Sequence, residues 1–307
     1  MIDFRYHLVS LISVFLALAV GVVLGAGPLQ NSLGTALNDQ VTSLRADRND
    51  LQSRLEQTET AVNDRDEYIT AVGESLLPDT LKDQRVAMVV MPGAEGGDID
   101  DIITEIETAG ATVTGRVTLT AAWAEVSRES FRSTYSGQFA PYLESTAADG
   151  NAVLGQGLAE ALTTEGDNAT ALMELLTASD TPLVTVDAQL SGAASMIVVV
   201  GPRTAASPDG SEPTAAATAE QDSAAWTAAL TGVASAATTV VVGAADAQAD
   251  IVSVLRTAQS PVTTVDSVGQ ATAAVSTPLA LAATAAGTVG NYGFDAGADA
   301  IIPPVSR

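Results

Sequence analysis

The sequence predicts an α/β protein in three parts: one N-terminal transmembrane helix, a parallel coiled coil, and a doubly wound sheet. Three observations predict it. An uncharged apolar run, LVSLISVFLALAVGVVLGAG, occupies residues 8–27. Apolar residues then recur at heptad spacing over residues 37–76. From Arg85 onward, short apolar runs alternate with stretches of helical length.

The run at 8–27 holds about 20 residues, which as a helix covers roughly the 30 Å hydrocarbon core of a bilayer. Arg5 lies before it and the first charge after it is Asp39. The positive-inside rule therefore places residues 1–7 in the cytoplasm as a small tip and the chain from Pro28 outside the membrane. A cleavable signal is the competing reading. Signal apolar regions span about 7–15 residues and end in a small-x-small site. The greater length here, and Pro28 directly after Gly25 and Gly27, favour an anchor that stays in the membrane. Gly21 and Gly25 form a G-x-x-x-G pair that lets two such helices approach closely. Small residues are also common in membrane helices with no partner.

Residues 28–77 read as an extracytoplasmic stalk, with a short juncture at 28–34. With Val41 at position a and Leu44 at d, the seam runs through Leu37, Val41, Leu44, Arg48, Leu51, Leu55, Val62, Ile69, Val72 and Leu76. Nine of its twelve core positions are apolar, the exceptions being Arg48, Thr58 and Arg65. Arg48 at a costs stability and favours one register, while Arg54 at g can meet Glu59 at e of a parallel partner. Two chains leaving the same membrane must run parallel, so the pattern predicts a homodimer. The alternative is a single amphipathic helix folded back on its own globular domain. Pro78 ends the helix near Leu77, and a helix over 33–77 would hold the next domain roughly 65 Å from the membrane.

Residues 85–307 read as the globular domain. VAMVVM at 86–91 is a buried strand ended by Pro92-Gly93. Asp98 is expected to cap a helix running to about Ala109, with Ile99, Ile102, Ile103 and Ile106 on one face. A strand at 112–119 follows, then a helical stretch bearing Trp123, Phe131, Tyr135, Phe139 and Tyr142. Helices are expected at 153–164, 168–178, 223–235, 246–258 and 268–286, and strands at 183–186, 195–200, 238–243 and 262–266. This alternation implies βαβ units and a Rossmann-like, doubly wound, mainly parallel sheet. Residues 203–222, rich in Ala, Ser, Pro and Thr, read as an exposed flexible loop. The tail at 291–305 is expected to dock as an irregular segment. No amphipathic series of the outer-membrane barrel type occurs.

Composition excludes more chemistry than it suggests. The 307 residues carry a formal charge of −24, which argues against nucleic acid and against a basic patch for anionic lipid. There is no cysteine, and the one histidine, His7, lies at the edge of the anchor. Disulfides, thiolate sites and an imidazole-based dyad outside the membrane are thereby excluded. The turn MPGAEGGD at 91–98 lacks G-x-G-x-x-G spacing and puts Glu95 and Asp98 where a pyrophosphate would sit. The acids Asp98, Asp100, Asp101, Glu105 and Glu107 read as a solvated helix face rather than a calcium loop. No G-x-S-x-G elbow occurs. The residues thus name no catalytic, cofactor or metal site, and predict a protein that is not an enzyme. Of the methionines Met1, Met88, Met91, Met173 and Met196, Met88 and Met91 lie three apart on a strand. They should face opposite ways as core fillers rather than form a thioether site for soft copper(I).

The N-terminal block MIDFRYHLVSLISVFLALAVGVVLGAGPLQ, the strand VAMVVMPGA and the Gly-Asn-Tyr-Gly stretch at 290–293 resemble the actinobacterial MctB family named for copper transport. The resemblance extends over essentially the whole chain. It implies copper efflux and an outer-membrane channel component. It also implies the role of corynebacterial relatives, which work with a protein partner in envelope assembly and cell separation. Together with the residues, it makes an anchored scaffold with a partner-binding head the leading expectation. Copper transport is the alternative.

Overall fold

The computed structural model describes residues 4–26, 28–178, 182–188, 190–204 and 223–305. The expected loop at 203–222 lies outside them beyond Thr204, as do residues 1–3 of the tip expected in the cytoplasm. The chain divides into two compact units, Met1–Asp64 and Arg65–Arg307.

In the first unit, helix α1 (Phe4–Ala26) contains a 20-residue apolar window, Phe4–Val23, with none of it buried in the protein. It is long and apolar enough to cross a membrane, a criterion that a signal sequence also meets. Helix α2 (Pro28–Leu76) is a single element of 49 residues. The juncture expected at 28–34 is therefore helical. Proline is accepted at a first helical position, because its missing N–H has no intrahelical partner there. Arg54 pairs with Asp50 of its own helix at 2.9 Å, an exposed i,i+4 contact worth about 0.3–0.5 kcal/mol.

The second unit begins with the last three turns of α2 and builds a seven-stranded sheet. The strands are β1 (Arg85–Val90), β2 (Thr112–Leu119), β3 (Val184–Ala188), β4 (Met196–Val200), β5 (Thr238–Val242), β6 (Thr263–Val265) and β7 (Asn291–Tyr292). Their order is β3-β2-β1-β4-β5-β6-β7, with β3 antiparallel to β2 and every other pairing parallel. This is a doubly wound order whose direction of winding reverses between β1 and β4.

Helices cover both faces, so the central strands are apolar on both sides and read as unbroken runs. Val86, Met88 and Val90 join one core with α3 (Gly96–Thr108), α9 (Ala271–Ala285) and Leu77. Ala87, Val89 and Met91 join the other with α5 (Gly150–Thr163), α6 (Asp167–Thr177), α7 (Ser223–Ala236) and α8 (Ile251–Thr257). Met88 and Met91 thus do face opposite cores.

The aromatic stretch is not one helix. It breaks into 3₁₀ turns around α4 (Glu129–Tyr135). Tertiary contacts hold it: Trp123 stacks on Trp226 at 6.4 Å and donates its indole N–H to the Leu183 carbonyl. The buried Arg132 guanidinium donates to Asn151 and to the carbonyls of Ala122 and Glu125.

The tail holds the two-residue strand β7, which the sequence reading did not anticipate. It pairs with β6 at Thr264–Asn291 and Val265–Tyr292. What places it is Asp266, at the end of β6. The Asp266 carboxylate accepts from the backbone amides of Phe294 and Asp295, the Ser267 hydroxyl and the Arg256 guanidinium, the last at 2.9 Å. Arg256 also donates to Thr264 and to the carbonyls of Tyr292 and Ala296. Burial alone would raise the pKa of Asp266. The amides of Asp295 and Phe294, with Ser267 and Arg256, outweigh it and hold the carboxyl below its ordinary value.

Candidate functional site

Sheets of this order bind ligands outside the carboxyl ends of their strands, at the point where the winding reverses. Here that point lies beyond Val90 and Val200. Their continuations are tied together, with the Met91 amide donating to the Val200 carbonyl at 2.8 Å and the Gly201 amide to Val242 at 2.7 Å. The loop after β4 then presents Arg203 to the start of α3. Its Nε and Nη2 donate to the two Asp98 oxygens at 2.9 and 2.6 Å, a bidentate pair. Glu95 stands 3.7 Å away. Hydrogen bonding to Asp98 is the largest influence on Arg203 and raises its pKa, with Glu95 adding to the effect. Gly269 has φ +86°, and a Cβ there would collide with the Arg203 guanidinium. That glycine makes room for the ion pair.

At the start of α3 the Arg203 charge is thus balanced by the protein's own Asp98, while the reversal point keeps a cavity of about 130 Å³ lined by Met91, Pro92 and Pro202 among others. Asp98 does not cap α3. Glu95 stands at the N-cap without a side-chain bond, and Asp98 is a buried first-turn residue.

Beside the ion pair opens a cleft of about 410 Å³, lined among others by Arg203, Thr204, Asp246, Ser267 and Asp295. The Thr204 hydroxyl lies 2.6 Å from Asp250 and 3.0 Å from Asp246. Burial raises the pKa of Asp295, and the charges of Asp266, Asp246 and Asp250 raise it further against the opposing pull of Arg256. Two arginines, Arg65 and Arg203, and two aspartates, Asp246 and Asp295, line the cleft, and no imidazole lines it to activate its hydroxyls. Among the described residues no group of three or more His, Cys, Asp or Glu side chains is placed to hold a metal ion.

The acids of α3 are not one solvated face. Asp100, Asp101 and Glu107 are exposed, but Asp98 and Glu105 are buried. Glu105 faces Gly73 of α2, where a Cβ would lie 3.6 Å from its Oε2 and 2.8 Å from Val275 of α9. That oxygen has no hydrogen-bond partner. Burial raises the pKa of Glu105, helped by the charges of Glu74 and Asp101. A raised folded-state value means that its contribution to stability is complete below the unfolded value and fades as pH rises through the folded one. Glu105→Gln should therefore raise the melting temperature at pH 7.5 and leave it nearly unchanged near pH 4. Equal shifts at both pH values in thermal melts would show that folding does not raise the Glu105 pKa.

The seam residues fall into two groups. Leu37, Val41, Leu44, Arg48, Leu51, Leu55 and Val62 are exposed along α2. Ile69 and Leu76 are half-buried against the core that includes Val275 and Leu279, with Val72 exposed beside them. Gly21 and Gly25 lie within α1, and a Cβ at Gly21 would meet nothing. Arg203, Asp266 and Arg256 were not singled out by the sequence reading. A basic residue directly after an apolar strand, MIVVVGPR in an acidic chain, is the signal that could have found Arg203.

Taken together, the fold and site define an α/β protein with a membrane-length N-terminal helix and a mainly parallel, doubly wound sheet that carries an Arg203–Asp98 pair beside its reversal point. The chain belongs to the family described as copper transport outer membrane protein, MctB, whose model matches residues 1–303. It is 32% identical over 185 residues to the copper transporter MctB of Mycobacterium tuberculosis (strain H37Rv), and equally to that of Mycobacterium bovis. Each match spans 57% of this chain and 57% of the relative. The Mycobacterium leprae protein of that name is 31% identical over 142 residues, 46% of this chain and 45% of its own length. The chain thus covers about half the length of the relatives it matches.

Proposed function

We propose that this protein is a membrane-anchored, non-enzymatic scaffold of the cell envelope. Its α1 anchor leaves the N-terminus in the cytoplasm, two α2 helices pair in parallel outside, and the α/β head binds a protein partner in envelope assembly or cell separation. The observation that supports this reading best is the exposed apolar stripe of α2, from Leu37 to Val62. An apolar stripe in heptad register left in water calls for a partner helix. Crosslinking in dividing cells should recover a specific membrane or wall-remodelling protein, and the deletion strain should show a defect in cell separation. Normal division with no captured partner would defeat the proposal.

Copper handling is the second reading, favoured by the names of the relatives and of the family. It predicts that loss of the gene raises cell-associated copper, and unchanged content would count against it. Among the described residues the donors do not make a soft-metal site by themselves. Met88, Met91 and Met196 are buried in the cores, and Met173 lies in a groove beside Glu165 and Glu174. Copper(I) prefers thiolate or thioether groups gathered together. No step of transport is assigned to these residues.

A further inference from the structure

The head carries an apolar groove of about 230 Å³ between the last turns of α2, helix α9 and the C-terminal tail. The α2 side is formed by Tyr68, Ile69, Val72 and Leu76, and the far rim by Phe294, Ile301 and Ile302. These are large apolar side chains left in water: Tyr68 is 70% exposed, Phe294 58%, and Ile301 and Ile302 59% each. We propose that this groove is the seat of a second copy of this chain, whose own α2 lies along it so that the tail of each protomer clasps the helix of the other. The proposal rests on the paired-stalk reading above and deepens it.

Two observations choose this occupant. First, the groove's α2 wall continues the heptad register: Ile69, Val72 and Leu76 are the a, d and a positions that follow Val62 at a and Arg65 at d. The head covers this helix only in part. Gly73 and Leu77 are buried against it, whereas Tyr68 and Val72 remain open on the neighbouring side. A parallel partner in this register brings its own Tyr68 and Val72 to that open side. Tail residues at the rim then become contacts across a two-fold axis, where each copy both gives and receives. Second, each chain carries −24 formal charge. Two copies repel unless they meet where charges are absent, and none of the groove's lining residues is charged.

The chain has no native cysteine, so single cysteines report proximity without background. In membranes holding the full chain, Leu44→Cys reports the stalk and Val72→Cys the groove, each treated with a short bismaleimide. Both should give crosslinked dimers. Adding Ile301→Asp with Ile302→Asp should abolish the Val72→Cys crosslink and leave that of Leu44→Cys intact. Phe294→Ser, at the same rim, should weaken the Val72→Cys crosslink in the same way if the double change impairs folding. A stalk crosslink without a groove crosslink overturns the proposal while the paired stalk survives. So does a groove crosslink that persists at full yield in both tail variants, or one made to a different protein. Loss of both crosslinks in the otherwise unchanged chain defeats the paired stalk and this proposal together.

Discussion

Asp266→Ala should lower the stability of the head by about 3–5 kcal/mol, the usual effect of removing one partner from a buried ion pair. The cause is the charge left behind. Arg256 is buried and spends its remaining donors on Thr264 and on the carbonyls of Tyr292 and Ala296. Without Asp266 its positive charge loses the carboxylate it hydrogen-bonds and keeps the weaker pull of the partly exposed Asp295. The amides of Phe294 and Asp295 lose their acceptor as well. The damage should therefore spread to the tail, and hydrogen exchange of β7 should quicken more than that of β1. Gly293 makes the same point from the other side. It has φ +130°, and a Cβ there would fall on the Asp266 carboxylate. Because the folded carboxyl titrates below its ordinary range, its stabilisation is present above the unfolded value and is lost as pH falls through the folded one. Wild type and variant should consequently converge on acidification. Chemical denaturation at pH 7.5 and at low pH measures both, and a loss under 1 kcal/mol at neutral pH would contradict this account of the tail.

Gly232→Ala should destabilise the head by about 2 kcal/mol, although alanine is the better helix former by roughly 0.8–1 kcal/mol. Helices α5 and α7 cross at glycines. A Cβ at Gly232 would fall on the Ala152 carbonyl of α5, and one at Gly155 on the Ala229 carbonyl of α7. Both obstacles are backbone and cannot rotate aside, so the helices must separate and the packing around Leu158 and Leu230 must loosen. The sign of the measured change decides between contact and propensity. A stabilised Gly232→Ala protein would show that the helices stand further apart than this packing requires.

How much of the fold was legible depended on whether a segment's structure is set locally. The strands β1, β4 and β5 are long apolar runs, and their burial on both faces leaves no competing reading. Helix α3 was visible from its isoleucine spacing. Its acids were not, because nothing local says that Arg203, over 100 residues away, will reach Asp98. Strand β7 was hidden for the same reason, since two residues in a Gly-rich tail become a strand only through Asp266 and Arg256. The 121–142 stretch was legible as helical, but its division into 3₁₀ turns around α4 was not, because that shape comes from the Trp123 and Arg132 contacts rather than from period. Heptad spacing cannot distinguish a seam for a partner helix from a face that packs on the chain's own domain. Residues Ile69 and Leu76 show both uses meeting at one end of α2. The winding order was legible as a class, but the pairing of Arg203 with Asp98 beside its reversal point was not.

The central claim is that the apolar stripe of α2 is covered by a second copy of the same chain. Light scattering on the full-length protein purified in detergent, corrected for bound detergent, tests it directly. The account predicts a protein mass twice that of one chain, falling to one when Leu44, Leu51 and Leu55 are all changed to aspartate. A single-chain mass for the unchanged protein would contradict it.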